Sequence, residues 1–185
     1  MVIRPKSWYT YTQTKCITDF SGYQPELFFG PYTVKVKKEL GISEVITSDI
    51  YGHTIEDDFI KTVKLYTTVS EMKDQLDNPN EYLEIWTADE SEQVADGDPV
   101  ATGMIVKLMI NGSEKDRKII VIKGDTSGDG DIDLFDGVMI VNHYVDITPL
   151  TGAYLEAAYI SEDEDVDLFD GVMIVNHYVG IESIH

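Results

Sequence analysis

Polar and apolar side chains alternate in Tyr32-Thr33-Val34-Lys35-Val36 and again in Ile60-Lys61-Thr62-Val63-Lys64-Leu65, the period of a half-buried strand. After Thr67 the period lengthens. Val69, Met72 and Leu76 recur at helical spacing, Thr68-Val69-Ser70-Glu71 has the spacing of a capping box, and Asn78-Pro79 ends the run. Tyr82 to Trp86, Gly103 to Ile110 and Arg117 to Lys123 read as further strands, with Asn111-Gly112 a tight turn. Strands, helix, strands predicts an α+β or β-rich domain. Residues 1–58 read only as strand-rich. Beyond Asp133 the pattern changes once more. Leu134, Phe135, Val138, Met139, Ile140, Val141, Tyr144 and Val145 are apolar around most of a helical wheel, interrupted by Asp136, Gly137, Asn142 and His143. A helix apolar on several sides needs more than one neighbour. One side can pack on a second helix, and another is left for a partner or for the N-terminal domain.

The second helix is written in the chain itself. Residues 133–145 and 167–179 are the same thirteen-residue segment, DLFDGVMIVNHYV, offset by 34. Before the first copy, Asp125, Ser127, Asp129, Asp133 and Asp136 fall at positions 1, 3, 5, 9 and 12 of a twelve-residue loop, with Gly130 at position 6. Alternate oxygen-bearing side chains, a carbonyl from Asp131 at position 7 and a returning carboxylate at position 12 suit a hard cation that takes six to eight oxygens. The expected ion is Ca2+. In the second loop Tyr159 replaces the first Asp and Glu164 the Gly, while Ser161, Asp163, Asp165, Asp167 and Asp170 remain as candidate ligands. That loop is expected to keep the fold and to bind metal weakly or not at all.

A tetratricopeptide array shares the period but needs two helices per repeat and at least three repeats. A sensor EF-hand needs a helix before each loop and Glu at position 12. Here a β-branched strand leads into Asp125. His143 and His177 occupy matching positions without a second ligand at spacing and read as ordinary helix-surface histidines.

Charge sharpens the metal reading. The chain has 14 Lys+Arg against 34 Asp+Glu, a net of −20. Residues 124–185 contain 14 acids and no Lys or Arg, so they hold 14 of those 20 charges. Carboxylates at that density repel one another unless a cation lies between them. Disordered acidic tails lack the apolar repeat found here.

Paired calcium loops with Asp at position 12, each followed by one helix, resemble a dockerin. Leu150-Thr151-Gly152-Ala153-Tyr154-Leu155-Glu156-Ala157-Ala158 is similar to the short helix between dockerin repeats, and Gly124-Asp125 to the usual entry. The resemblance covers residues 124–185. Residues 67–124 loosely resemble the X modules that precede dockerins in some anaerobic bacterial proteins. The resemblance implies a non-catalytic module of cellulosome assembly or cell-surface attachment, secreted or held at the cell surface, whose partner is a cohesin of a scaffold or anchoring protein. Carried over by position, the partner face would comprise Leu134, Phe135, Val138, Val141 and Asn142, and Leu168, Phe169, Val175 and Asn176 in the second copy. The expected fold class is therefore α+β: a β-rich X-like module over residues 1–123, then a small all-α calcium-binding dockerin over 124–185.

Other functions are less supported. There is no phosphate loop, no Gly-x-Ser-x-Gly and no His-Glu-x-x-His. About 120 residues is small for a glycosidase domain with a substrate cleft. Cys16 stands alone, so no disulfide framework is expected. No segment has the length of a membrane span, Met1-Val2-Ile3-Arg4-Pro5 is not a signal peptide, and the chain reads as the C-terminus of something larger. The acidic balance disfavours nucleic acid and anionic membranes. The alternative is the C-terminal part of a secreted enzyme or carbohydrate-binding protein, with Trp8, Tyr9, Tyr11, Tyr23 and Tyr32 as an aromatic platform against polysaccharide.

Overall fold

The structure is a computed structural model that describes residues 43–49, 52–161, 163 and 165–184. The strand expected at residues 32–36, the candidate platform aromatics, Cys16 and Glu164 lie outside the described residues. Ser43–His185 form one compact unit. Its elements in chain order are β1 (Thr54–Glu56), β2 (Phe59–Lys61), α1 (Val69–Asp74), β3 (Leu83–Trp86), β4 (Ile105–Ile110), β5 (Ser113–Ile120), α2 (Leu134–Tyr144), α3 (Ala153–Ala158) and α4 (Leu168–Tyr178). The strands form a sheet in the order β1-β2-β5-β4-β3, with β2 and β5 parallel and the other neighbours antiparallel.

Local chemistry sets most boundaries. Asn111 and Gly112 both have positive φ (53° and 74°), which the two-residue turn between β4 and β5 requires. Thr68 Oγ1 accepts from the Glu71 amide at 3.3 Å and Glu71 Oε2 accepts from the Thr68 amide at 2.9 Å, so the capping box forms. Val69, Met72 and Leu76 are fully buried below it. Two strands differ from the sequence pattern. β2 stops at Lys61 because Thr62 turns to φ 64°. β5 starts earlier, at Ser113, because pairing with β4 recruits the charged run Glu114–Lys118, and it ends at Ile120. Beyond it, Val121 donates to the Ile60 carbonyl and the Ile122 amide turns to the Thr102 hydroxyl.

The expected fold class needs correction. In place of a β-rich module followed by a separate small all-α dockerin, there is a mixed five-stranded sheet with four α-helices among the described residues, in one compact unit. The physical reason lies at α3. Its Ala153 and Ala157 pack with Val121 against Phe59 and Ile119 of the sheet, and the Gly124 amide donates to the Ala157 carbonyl at 2.8 Å. Lys61 and Glu156 pair at 2.7 Å beside this contact. α3 thus completes its burial on the sheet, while α2 and α4 share a core with Leu150, Ala158 and Ile160.

α2 and α4 pack about an approximate two-fold axis. A Cβ at Gly137 would meet Ile174 at 3.4 Å and the Gly171 carbonyl at 3.5 Å, and one at Gly171 would meet the Gly137 carbonyl at 3.6 Å. Equivalent positions thus touch each other, the signature of an isologous contact. Ile140 and Ile174 are fully buried there with Leu150, Ala158 and Ile160. Because the two isoleucines are symmetry equivalents, Ile140→Ala and Ile174→Ala should each destabilise the fold by about 2–5 kcal/mol and by similar amounts, as read from urea unfolding.

Candidate metal centre

The first loop is built around two carboxylates with no solvent exposure, Asp125 and Asp136. Asp125 Oδ1 accepts from the Gly128 amide and Oδ2 from the Thr102 amide, both at 2.8 Å. Asp136 Oδ1 accepts from the Ser127 amide at 2.8 Å and the Thr126 hydroxyl at 3.3 Å, and Oδ2 from the Asp133 amide at 2.8 Å. The last bond also makes Asp133 and Asp136 the capping box of α2. Ser127 Oγ accepts from the Asp129 amide, Asp129 Oδ1 from the Asp131 amide, and Asp133 Oδ1 from the Phe135 amide. Asp131 turns its side chain outward, where the Tyr66 hydroxyl donates to it at 3.0 Å. Its carbonyl, not its carboxylate, is the oxygen that the sequence assigned to the loop.

The electrostatics of this arrangement are unfavourable as they stand. Burial pushes the carboxyls of Asp125 and Asp136 above the usual carboxylate range, aided by the charge of Asp136 on Asp125 and of Asp129 on Asp136. The hydrogen bonds that these two side chains accept come from neutral amides and a hydroxyl. Among the described residues, no three His, Cys, Asp or Glu side chains converge as a ready-made metal cluster. The donor chemistry nonetheless fits calcium. Each carboxylate oxygen has two lone pairs, and Asp125 Oδ1 and Oδ2 and Asp136 Oδ2 each accept a single hydrogen bond. The residues that would hold the ion are Asp125, Ser127, Asp129, Asp133 and Asp136 by side chain and Asp131 by carbonyl, and bound calcium would supply the positive charge that the two buried carboxylates lack.

The second loop keeps the scaffold with fewer donors. Asp170 is fully buried and accepts from the amides of Ile160, Ser161 and Asp167 at 2.8–3.0 Å. Asp167 caps α4 through the Phe169 amide, as Asp133 caps α2. Ser161 donates its hydroxyl to Asp163, whose same oxygen takes the Asp165 amide. Tyr159 brings no carboxylate to position 1.

Leu134, Phe135, Val138, Val141, Leu168, Phe169 and Val175 are exposed, with Phe135 and Phe169 each at 59%. Asn142 and Asn176 are half-buried. The sequence pattern missed several contributors. His143 and His177 are not idle surface residues: their Nδ1 atoms accept from the Leu150 and Ile184 amides at 3.0 and 3.2 Å, closing the turn after each helix. Tyr66, Thr102 and Thr126 also act on the first loop. Thr126 could be suspected from its place inside the loop, whereas Thr102 stands 23 residues away from Asp125 with no local signal. Comparison of the chain with models of known protein families, with curated proteins and with solved structures finds no match.

Calorimetry on calcium-free protein should find one tight calcium. Asp125→Ala and Asp136→Ala should each abolish tight binding, whereas Asp163→Ala and Asp170→Ala should affect it much less; two equally tight sites would overturn this. At a hundredfold excess of calcium over its dissociation constant, the fold should gain about 2.7 kcal/mol, visible as a higher melting temperature.

Proposed function

We propose that residues 124–185 act as a non-catalytic, calcium-dependent docking element whose partner is a cohesin-type domain of a scaffold or cell-surface anchoring protein. The observation that carries this reading is the face presented by α2 and α4. Leu134, Phe135, Val138, Val141, Tyr144 and Val145 stand exposed on the first helix, and Leu168, Phe169, Val172, Val175, Tyr178 and Val179 on the second. Contiguous apolar surface of this kind on a small unit marks an interaction site. Around it, the segment carries only negative formal charge, so the complementary partner has an apolar patch rimmed by Lys and Arg.

Calcium would act by holding the helix starts. Asp133 and Asp136 serve both as loop oxygens and as the cap of α2, so an ion in the first loop would fix the position of Leu134 and Phe135. An extracellular setting, where calcium is plentiful, suits a site of this type. Among the described residues no helix is long and apolar enough to cross a membrane. A cohesin panel should capture the chain in calcium and release it in chelator; capture that ignores chelator would remove the calcium dependence.

The two helices are not supported equally, because the first loop has the fuller donor set. α2 is therefore the principal docking face, with Leu134 and Phe135 as anchors. Phe135→Ala should cost about 2 kcal/mol of binding, roughly thirtyfold in affinity, while Phe169→Ala should do little. A larger loss from Phe169→Ala in the same binding assay would reverse the assignment.

A further inference from the structure

We propose that Thr102, which lies outside the loop, is a positioning residue for the metal in the first loop, so that the calcium affinity of residues 125–136 depends on the sheet. This rests on the reading of that loop as a calcium site. The Thr102 amide is one of two donors to the fully buried Asp125, and it takes Oδ2 at 2.8 Å. Thr102 is itself locked: its hydroxyl accepts from the Ile122 amide at 3.0 Å and donates to the Ile122 carbonyl at 3.3 Å. The neighbouring backbone is tied to β5, with Gly103 donating to Ile120 and Ile120 to Met104, both at 2.9 Å. Val100, two residues earlier, donates to the Thr67 carbonyl at 2.8 Å. A rigid wall from the sheet thus aims one N–H at the first ligand.

The loop is fitted to that wall. Gly128 has φ 76°, and a Cβ there would lie 2.8 Å from the Thr102 carbonyl and 2.7 Å from the Tyr154 ring. Gly130 has φ 87° and faces Ala101 and the Val100 carbonyl. The corresponding positions of the second loop are Tyr159, Glu162 and Glu164 in sequence, in place of Asp125, Gly128 and Gly130. Of the five positions at which the two loops differ, these three are the ones whose residues in the first loop meet the 100–104 segment. The first loop is built to be held from outside, and its carboxylate is oriented before the ion arrives, which lowers the entropic cost of binding.

The test uses the full chain, freed of calcium and titrated with calcium chloride by calorimetry. Thr102→Val keeps the volume and removes the hydroxyl lock; Lys61→Met breaks the separate Lys61–Glu156 tie between sheet and α3. Thr102→Val should weaken the tight site about tenfold, the scale of losing most of one charge-assisted hydrogen bond, and Lys61→Met should leave it unchanged. Wild-type affinity in Thr102→Val, or equal weakening in Lys61→Met, overturns the proposal while leaving calcium binding intact. Absence of any calcium binding by the wild type removes the reading of the loop and this inference together. Should Thr102→Val fail to fold, amide exchange in the wild type decides. Calcium should slow exchange at Thr102 more than at Gly103, and equal slowing of the two overturns the proposal.

Discussion

Two aspartates with no exposed surface, held on one short loop by neutral donors, place the largest demand on this structure. Burying a carboxylate is costly unless its charge is compensated. The chain offers no Lys or Arg after Lys123 to do this. It supplies directed amides instead, from Thr102, Gly128, Ser127 and Asp133. Those amides fix the loop, the loop fixes the cap of α2, and the cap fixes where the exposed apolar face begins. Calcium would neutralise what the amides only orient.

Around this loop the architecture is symmetric in sequence and asymmetric in support. α2 and α4 carry identical side chains and meet through equivalent glycines. Even the turns that follow match, since Asp146 and Gly180 both adopt positive φ and the histidine contacts recur. The turns beside the sheet break the equivalence. They reach the first loop through Thr102 and Tyr66. The ties recorded for the Asp170 carboxylate come from residues of its own repeat.

How much of this was legible in the chain depends on how local the cause is. The capping box at Thr68 and Glu71, the Asn111-Gly112 turn and both repeat helices follow from a few consecutive residues, and each was readable. The first half of β5, residues 113–116, stayed hidden, because charged residues enter a strand only when a neighbouring strand demands it. The fold class failed for a similar reason. α3 reads as a link between repeats, and nothing in Ala153 or Ala157 says that their small side chains press on Phe59 and Ile119. In the loop, the spacing singled out Asp125 and Asp136, the two carboxylates that the structure buries, but the group that orients Asp125 comes from a distant turn.

The Gly137–Gly171 contact has a consequence for concentration. Since each helix has the same sequence and meets the axis through the same glycine and isoleucine positions, α2 of one chain could pair with α2 of another through a contact equivalent to the native one. Sequence therefore cannot tell the intramolecular pair from an exchanged one. The connection between α2 and α4 does so by tethering, since a short linker holds its two ends at an effective concentration on the order of millimolar. Exchange between molecules becomes competitive only when the protein approaches that level, as it can where many copies are crowded on one support.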